Sequence, residues 1–192
     1  MSAENVPEVP QIEFGHEVAD IRKTAIAPNF WYPIARSKDV KAGKTRAVSF
    51  SGESIVLVRP KKGKLFALEN RCAHRQVPLD IGKISGCTIK CGYHGWEYDA
   101  KGHCISIPYL DARKTKRNSV KHYPSKEAYG LIFIFPGDIE NATDEAFPNV
   151  PSATNPKYKT RYLDRAVDCH YTFMHENLMD MNHQFLHRKL MG

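Results

Sequence analysis

Four side chains that commonly bind metals lie close together in the sequence, as two pairs separated by a short gap. The first pair is Cys72-x-His74 and the second is Cys91-x-x-His94, with sixteen residues between His74 and Cys91. Thiolate and imidazole groups are the usual protein ligands of zinc and of iron–sulfur clusters. Two loops that offer two ligands each can hold a metal centre between them, so the pattern predicts a metal site.

The spacing of the first pair bears on which metal is bound. Structural zinc sites usually space each ligand pair by at least two residues, and Cys72-x-His74 is tighter than that. The alternative is a [2Fe–2S] cluster in which two histidines replace two cysteines on one iron, which raises the reduction potential. The residues therefore favour a [2Fe–2S] cluster, with a zinc site as the competing interpretation.

A second group of metal-ligand side chains lies near the C-terminal end, in the stretch HENLMDMNHQFLH. Glu176, Asp180, His183 and His187 are separated by four, three and four residues, which on a helix places all four on one face. Two imidazoles one turn apart with a carboxylate nearby suit ferrous iron in the 2-His-1-carboxylate arrangement, which leaves open positions for dioxygen and substrate. A buried polar network or a solvated helix face is the plainer interpretation of the same pattern.

Short runs rich in β-branched and aromatic residues follow Phe30 and predict a small antiparallel β domain. Four such runs precede the first ligand pair: FWYPIA, RAVSF, SIVLVRP and LFALEN. After the second pair, WEYDAKGHCISI predicts a hairpin around Lys101 and Gly102, and YGLIFIFPG predicts a closing strand. We expect the two ligand pairs to lie in hairpin loops of this domain.

The sequence changes character towards its C-terminal end. Residues 136–156 are rich in Pro, Asn, Asp and Thr and predict a linker, after which KYKTRYLDRAVDC predicts a strand and HYTFMHENLMDMNHQFLHRKL a helix. The predicted fold class is mainly β: an antiparallel metal-binding domain, followed by the first strand and the ligand-bearing helix of a truncated α+β domain. The predicted divisions are an N-terminal segment, the β domain, a linker and the start of the second domain, at residues 1–28, 29–140, 141–156 and 157–192.

Composition and charge narrow the class of protein. The first residues carry acidic side chains and no continuous apolar run, which argues against a secretory signal or membrane anchor and predicts a cytoplasmic protein. Five cysteines is an odd number for a disulfide framework and points to metal binding in a cytosolic protein.

The net charge of +7 comes partly from two basic stretches, RPKKGK at residues 59–64 and ARKTKRNSVKH at residues 112–122. Neither stretch is interleaved with aromatic residues, and no nucleic-acid-binding motif accompanies them. We expect a solvated face, with a docking surface for an acidic redox partner as the alternative, and no nucleic acid partner.

With CAH at residues 72–74 and CGYHGW at residues 91–96, the chain resembles the Rieske non-haem iron aromatic-ring-hydroxylating oxygenases, in the N-terminal portion of their terminal oxygenase α subunit. The resemblance implies that the two cysteines of these motifs bind one iron of a Rieske [2Fe–2S] cluster, and the two histidines the solvent-facing iron. Two positions depart from the family pattern. Gln76 stands where many members have glycine, and Gly92 where many have proline.

The resemblance also assigns roles to the predicted helix. In these oxygenases a segment with an aspartate followed by two histidines begins the catalytic domain, which implies that His183 and His187 bind a mononuclear Fe(II) and that Asp180 bridges the two metal centres. Asn177, following Glu176, matches the Glu-Asn pair that often precedes the bridging aspartate. The third iron ligand in the family is a carboxylate far downstream of this helix, so we expect the sequence to be a fragment of a longer subunit.

The same resemblance implies partners and a function. Electrons from NAD(P)H would arrive through a reductase, with or without a ferredoxin, and dioxygen would hydroxylate a small aromatic or heteroaromatic substrate. In the family the electron path crosses from His94 of one subunit to Asp180 of the next, so we expect a homotrimer. The implied function is the terminal oxygenase component; the alternatives are a non-catalytic Rieske-type electron-transfer protein and an oxidative demethylase of the same family.

Overall fold

The computed structural model describes residues 21–23, 25–110, 118–144, 146–163, 165–182 and 185. These residues divide into two compact units. One is Ile26–Arg161, and the other comprises the described residues of 1–25 and 162–192. The predicted N-terminal segment, residues 1–28, lies largely outside the described residues. The domain limits drawn from the sequence stay predictions.

Eleven antiparallel strands are present among the described residues, which confirms the mainly β class. They are β1 (Tyr32–Arg36), β2 (Lys44–Phe50), β3 (Glu53–Arg59), β4 (Phe66–Glu69), β5 (Lys83–Ser85), β6 (Thr88–Lys90), β7 (Glu97–Tyr98), β8 (Cys104–Ser106), β9 (His122–Tyr123), β10 (Ser125–Ala128) and β11 (Leu131–Ile134). They form three sheets, with strand orders β1-β11-β10, β2-β3-β4-β9 and β5-β6-β7-β8. Short 3-10 helices at Ile21–Lys23, Ser37–Asp39 and Ile139–Asn141, and α-helices α1 (Pro151–Thr154) and α2 (Tyr171–Met179), complete the described elements.

Strand β3 is the centre of the domain because both of its faces are buried. Ile55 and Leu57 pack on one side, against residues of the β1-β11-β10 sheet. Val56 and Val58 point to the other side, into the core that contains both ligand cysteines. The uninterrupted apolar run of this strand is the pattern expected when neither face meets water. One strand thus joins the structural core to the metal-site core.

The hairpin of β5 and β6 leads directly into the second ligand pair. Lys83 pairs with Lys90, the residue before Cys91. Gly82, just before the hairpin, lies so close to the opposite strand that a Cβ there would be 2.3 Å from the carbonyl oxygen of Lys90. Only glycine permits this approach of the two backbones. The start of the hairpin is therefore held tightly against the strand that carries Cys91.

Part of the predicted linker packs against the β domain. The indole N–H of Trp31 donates to the Thr143 carbonyl over 3.4 Å, and the Trp31 and Phe147 rings meet edge to face at 5.4 Å. The hydroxyl of Tyr129 donates to the Pro148 carbonyl over 3.0 Å. The compact unit accordingly includes residues 141–156, and α1 begins within them at Pro151, a residue favoured in the first turn of a helix.

The strand predicted over residues 157–169 is absent from the described part of that segment, so this prediction is wrong. Residues 157–163 and 165–169 carry no strand, and they pair with none of the three sheets. A strand is defined by hydrogen bonds to a neighbour, and an extended segment without a partner ladder does not form one.

The helix predicted to carry the second ligand group is shorter than expected. Helix α2 ends at Met179, and Asp180 follows with extended angles, φ −79° and ψ 96°. The Asp180 carboxylate accepts the N–H of Asn182 over 2.9 Å, a local turn that competes with helix continuation. Glu176 and Asp180 therefore do not share the helical face that the sequence predicted. No helix among the described residues is long and apolar enough to cross a membrane.

Candidate iron–sulfur site

The first ligand pair lies in a tight loop, residues 72–77, that we call loop 1. The N–H of Cys72 donates to the Val77 carbonyl over 2.9 Å. In return, the N–H of Gln76 donates to the Cys72 carbonyl, also over 2.9 Å. These two bonds close the loop on itself and hold His74 at its tip.

The second pair lies in loop 2, residues 91–96, which has the same frame. The N–H of Cys91 donates to the Trp96 carbonyl over 2.8 Å, and the N–H of Gly95 donates to the Cys91 carbonyl over 3.1 Å. In each loop the cysteine bonds to the residues four and five positions later. The site is therefore built twice from one backbone design, with the histidine two residues after the cysteine in loop 1 and three after it in loop 2.

Both frames need a left-handed residue at the fourth position after the cysteine. Gly95 occupies that position in loop 2 with φ +73°, and Gln76 occupies it in loop 1 with φ +61°. A non-glycine residue is strained there by about 1–2 kcal/mol, because its Cβ crowds the backbone. The difference noted from the sequence at Gln76 is thus a strained position that the rest of loop 1 holds in place.

The thiols and the imidazoles differ in burial. Cys72 and Cys91 are 2% and 4% exposed, whereas His74 and His94 are both exposed. The two imidazole rings lie next to each other, with centroids 4.7 Å apart and planes inclined by 56°. The four predicted ligands are thus brought together, with the cysteines towards the core and the histidines towards solvent.

Aromatic side chains position both histidines. The Trp96 ring stacks on His74 with centroids 4.9 Å apart and planes within 2°, and the Tyr93 ring lies 3.7 Å from His94. Neither aromatic residue was predicted from the sequence to have a role. The signal was present in CGYHGW, where aromatic residues flank the second histidine on both sides.

Tyr98 is buried in the same core as the two predicted ligand cysteines, and it was not predicted from the sequence. Its hydroxyl lies 3.2 Å from the Cys72 sulfur and accepts the N–H of Ala73 over 3.1 Å. Either atom can donate while the thiol is protonated, but once the sulfur binds metal as a thiolate only the Tyr98 hydroxyl has a proton to donate. Burial, together with this contact to Cys72, raises the pKa of Tyr98, so the hydroxyl keeps the proton that it donates.

Asn70 fixes the two ends of the segment that contains loop 1. Its side-chain carbonyl accepts the N–H groups of Leu79 and Asp80 over 2.8 and 2.9 Å, and its amide donates to the Asp80 carboxylate over 2.8 Å. Because Asn70 is buried, these bonds are formed in a low-dielectric setting. They hold the start and end of the loop together before any metal arrives.

The protonation states suit the arrival of a metal. Burial raises the pKa of the Cys72 thiol, so it is protonated until a metal displaces the proton. Local desolvation, then the nearby His94 and Arg75, lower the pKa of His74, which favours the neutral imidazole that binds metals. All five cysteines are free of disulfides.

The donor set fits a cluster with two unlike irons. Buried thiols on one side and exposed imidazoles on the other match a centre whose cysteine-bound iron faces the core and whose histidine-bound iron faces solvent. Among the described residues, no three histidine, cysteine, aspartate or glutamate side chains converge as a site for a single metal ion.

An apolar cavity opens beside the exposed histidines. Besides His74 and His94, the following residues line it: Tyr93, Trp96, Ile107, Pro108, Tyr109 and Leu110. Tyr109 is fully exposed and sits at φ +65°, in a turn closed by the bond from the Leu110 N–H to the Ile107 carbonyl. The open side of the site is therefore bordered by apolar side chains.

Only part of the second predicted group of metal-ligand residues, near the C-terminal end, lies among the described residues. Glu176 and Asn177 lie on α2 and are exposed, and Asp180 is exposed directly after the helix. His183 and His187 lie outside the described residues. The structure therefore places the predicted bridging aspartate but does not place the two predicted ligands of the mononuclear iron.

Comparison with known proteins agrees with this architecture. A family model described as the Rieske [2Fe-2S] domain matches residues 30–124, and the vanillate O-demethylase oxygenase C-terminal domain matches residues 167–192. The fold and the two loops with their four predicted ligands thus belong to a Rieske [2Fe–2S] domain. The chain belongs to the Rieske non-haem iron oxygenases.

Individual relatives show the extent of the likeness. The chain is 33% identical to the 4beta-methylsterol monooxygenase of Methylococcus capsulatus over 96% of its own length and 50% of the relative. It is 32% identical to the oxygenase component of dicamba O-demethylase from Stenotrophomonas maltophilia, over 83% of this chain and 47% of that one. The chain spans about half the length of these two relatives.

A solved structure gives the same picture. The crystal structure of dicamba monooxygenase bound to dicamba superposes with a TM-score of 0.74 at 32% identity, covering 84% of this chain and 48% of that one. The likeness extends beyond the Rieske match, which ends at residue 124.

Proposed function

We propose that this chain supplies the electron-accepting part of a terminal oxygenase component and the first part of its catalytic domain. The observation that carries the proposal is the pair of equivalent loops, with buried thiols and exposed imidazoles, joined in one chain to a segment that resembles an oxygenase catalytic domain. An electron carrier alone would not need that segment.

In this proposal Cys72, His74, Cys91 and His94 hold the [2Fe–2S] cluster. When bound, the cluster supplies a one-electron store whose potential is raised by its two imidazole ligands. The chain's own residues shape that store. Trp96 and Tyr93 fix the planes of the imidazole rings, and the Tyr98 hydroxyl would donate to the Cys72 sulfur when that sulfur is a metal-bound thiolate. Hydrogen bonds to cluster sulfurs are among the factors that set the potential.

Asp180 is the proposed connection to the mononuclear iron. Its carboxylate is exposed just past the end of α2, and it would accept an N–H from an imidazole that binds iron. The histidine of the neighbouring cluster would be His94 of the partner subunit, which makes a homotrimer part of the proposal. Glu176 and Asn177 precede it on α2, and His183 and His187 are the proposed iron ligands, with the third carboxylate supplied from outside this chain.

The reaction we propose is insertion of one oxygen atom from dioxygen into an aromatic or heteroaromatic substrate, while the other atom is reduced to water. The two electrons come from NAD(P)H through a reductase, with or without a ferredoxin, and the two protons come from solvent. A cytoplasmic location is part of this proposal. The relatives include toluene-4-sulfonate monooxygenase and two O-demethylases, which supports monooxygenation over ring dihydroxylation.

Oxidative demethylation is a second candidate with its own support. Residues 167–192 match the C-terminal domain of vanillate O-demethylase oxygenase, and the dicamba O-demethylase component is similar over 83% of this chain. Hydroxylation of a methyl carbon and loss of that carbon use the same iron chemistry. The two candidates differ in the substrate pocket and not in the residues described above.

The proposal is tested by the metal content and spectroscopy of anaerobically purified protein. About two irons and two acid-labile sulfides per chain are expected from the Rieske site, with hyperfine coupling from two imidazole nitrogens in pulsed EPR. An additional iron would indicate that the second site also loads. Zinc without sulfide, or coupling to no nitrogen, would contradict the Rieske assignment.

A full-length oxygenase that contains this chain allows a second test. Asp180→Asn is expected to leave the EPR signal of the cluster unchanged and to slow electron transfer to the mononuclear iron by at least tenfold, because the amide no longer accepts both histidine protons. Asp168→Asn, an exposed aspartate of the same unit, is the matched control. Equal turnover in both variants would remove the bridging role.

A further inference from the structure

A cavity lined in part by the β5–β6 hairpin, and by none of the residues of the ligand loops, has no part in the function proposed above. Four lysines line it, together with Thr45 and Cys87: Lys44, Lys61, Lys62 and Lys83. We call it the lysine groove. It is bordered by three turns, before β2, between β3 and β4, and between β5 and β6.

The charge of the lysine groove is uncompensated among the described residues. All four lysines are exposed, and none forms an ion pair with a described carboxylate. Other lysines of the domain are paired, such as Lys121 with Glu53 at 3.2 Å and Lys126 with Asp144 at 2.5 Å. Four like charges held around one concavity repel each other, and an anionic surface relieves that repulsion.

The lysine groove is connected to the iron–sulfur site through backbone. Lys83 pairs with Lys90, the residue before Cys91, and the hairpin tip at Cys87 is four residues from Cys91, about 13 Å of extended chain. Gly82 packs against the carbonyl of Lys90, so this wall of the groove cannot move without moving loop 2. A molecule seated in the groove therefore lies near the cysteine side of the cluster site.

We propose that the lysine groove is the docking surface for the electron donor, an iron–sulfur protein with an acidic surface. This inference rests on the proposed function. In the docked complex the donor is oxidised by one electron and the cluster of this chain is reduced by one, with no bond made or broken. Electrons then arrive on the cysteine side and leave on the histidine side, where His74 and His94 are exposed.

Nucleic acid is the other polyanion that a basic groove could bind, and the lining disfavours it. None of the residues lining the groove is aromatic, so it offers no platform on which bases could stack. The concavity matches a protruding acidic loop or turn of a protein better than an extended polyanion, since its charges surround one opening.

The test is calorimetric titration of the cluster-loaded chain with an acidic plant-type [2Fe–2S] ferredoxin at low ionic strength. Replacing Lys61→Glu together with Lys83→Glu is expected to weaken binding at least tenfold and to flatten its salt dependence. Lys38→Glu with Lys157→Glu is the matched control, because these exposed lysines lie outside the groove and change the net charge equally. The control is expected to stay within about threefold of the unmodified chain.

Cys87 gives an independent readout in the same complex. Its thiol is exposed in the groove, and Cys169 is exposed outside it. Bound ferredoxin is expected to slow maleimide labelling of Cys87 several-fold and to leave Cys169 unaffected.

Three outcomes would overturn the docking proposal: no binding by the unmodified chain, equal losses in both double variants, or displacement of ferredoxin by a short DNA duplex. Iron and sulfide content of each preparation reports separately on the proposed function. A chain that loads its cluster but fails these binding tests loses the docking surface alone.

Discussion

The two ligand loops share one hydrogen-bond frame but differ in how well their sequences suit it. Loop 2 has glycine at the left-handed position, whereas loop 1 places Gln76 there. Loop 1 has outside support that offsets the strain, because Asn70 ties the ends of its segment with three hydrogen bonds. The comparison indicates that one loop is stable by its own sequence and the other by its surroundings.

Removing a ligand is expected to have the largest effect, and it tests whether both loops are needed. Cys91→Ser should abolish sulfide incorporation, because a hydroxyl is a poor ligand for a soft iron–sulfur centre. Cys104→Ser is the control, since Cys104 is equally buried and lies outside both loops. Iron and acid-labile sulfide per chain are the measurements. A Cys91→Ser protein with normal sulfide content would show that the cluster assembles without the cysteine of loop 2.

The second-largest effect is expected from adding a side chain to loop 2 at its left-handed position. Gly95→Ala should destabilise the protein by about 1–2 kcal/mol, because a Cβ is disfavoured at φ +73° and would lie 3.2 Å from the Pro108 ring. The midpoint of urea unfolding measures this loss. Gly52→Ala, at a left-handed position with open space around it, isolates the backbone contribution. An unchanged midpoint in Gly95→Ala would mean that loop 2 can relax.

The Tyr98 hydroxyl contacts loop 1 and has no counterpart described at loop 2. Tyr98→Phe should lower the reduction potential of the cluster, because the sulfur loses a donor that stabilises the added electron. It should also destabilise the fold by about 1 kcal/mol, since the N–H of Ala73 loses its acceptor. Redox titration followed by circular dichroism measures the first effect, with Tyr93→Phe as the control. An unchanged potential would show that the hydroxyl serves only the backbone.

Relieving the backbone strain in loop 1 is expected to have the smallest effect. Unlike the substitutions above, it should stabilise the protein. Gln76→Gly should stabilise the protein by about 0.5 kcal/mol. Glycine removes the backbone strain of the folded state, but it also gives the unfolded chain more conformational freedom, which offsets part of that gain. Gln76 is exposed, so little packing is lost. Urea unfolding again provides the measurement. Destabilisation would indicate that the Gln76 side chain makes a contribution of its own to loop 1.

The strands of the domain were predictable because their residues have only one compatible environment. The apolar run of β3 has no polar face, so it had to lie in the interior, and the hairpin around Lys101 and Gly102 follows from its turn residues. The failures have a physical cause as well. The described residues of 157–169 have strand composition but pair with no strand of the three sheets. The pattern after Glu176 has helical spacing, yet Asp180 bonds to Asn182 and leaves the helix.

The candidate ligands of the site were predictable from the sequence, but the residues and backbone hydrogen bonds that hold them in place were not. Cysteine and histidine at fixed spacing carry their chemistry in the sequence alone. The contact of Tyr98 with Cys72 joins residues 26 positions apart, and the likeness of the two loops lies in backbone bonds that side-chain identity does not report. The hairpin of β5 and β6 was also missed, since its three-residue strands are too short to show a period.

The close approach of the backbone at Gly82 limits which residues can replace this glycine during evolution. Any side chain there would collide with the carbonyl of Lys90, the residue before the predicted ligand Cys91. Surface positions of the same hairpin, such as Lys83 and Cys87, can vary while Gly82 cannot. On the proposed docking surface, the lining side chains can therefore change together with the partner, while the backbone that carries Cys91 keeps its geometry.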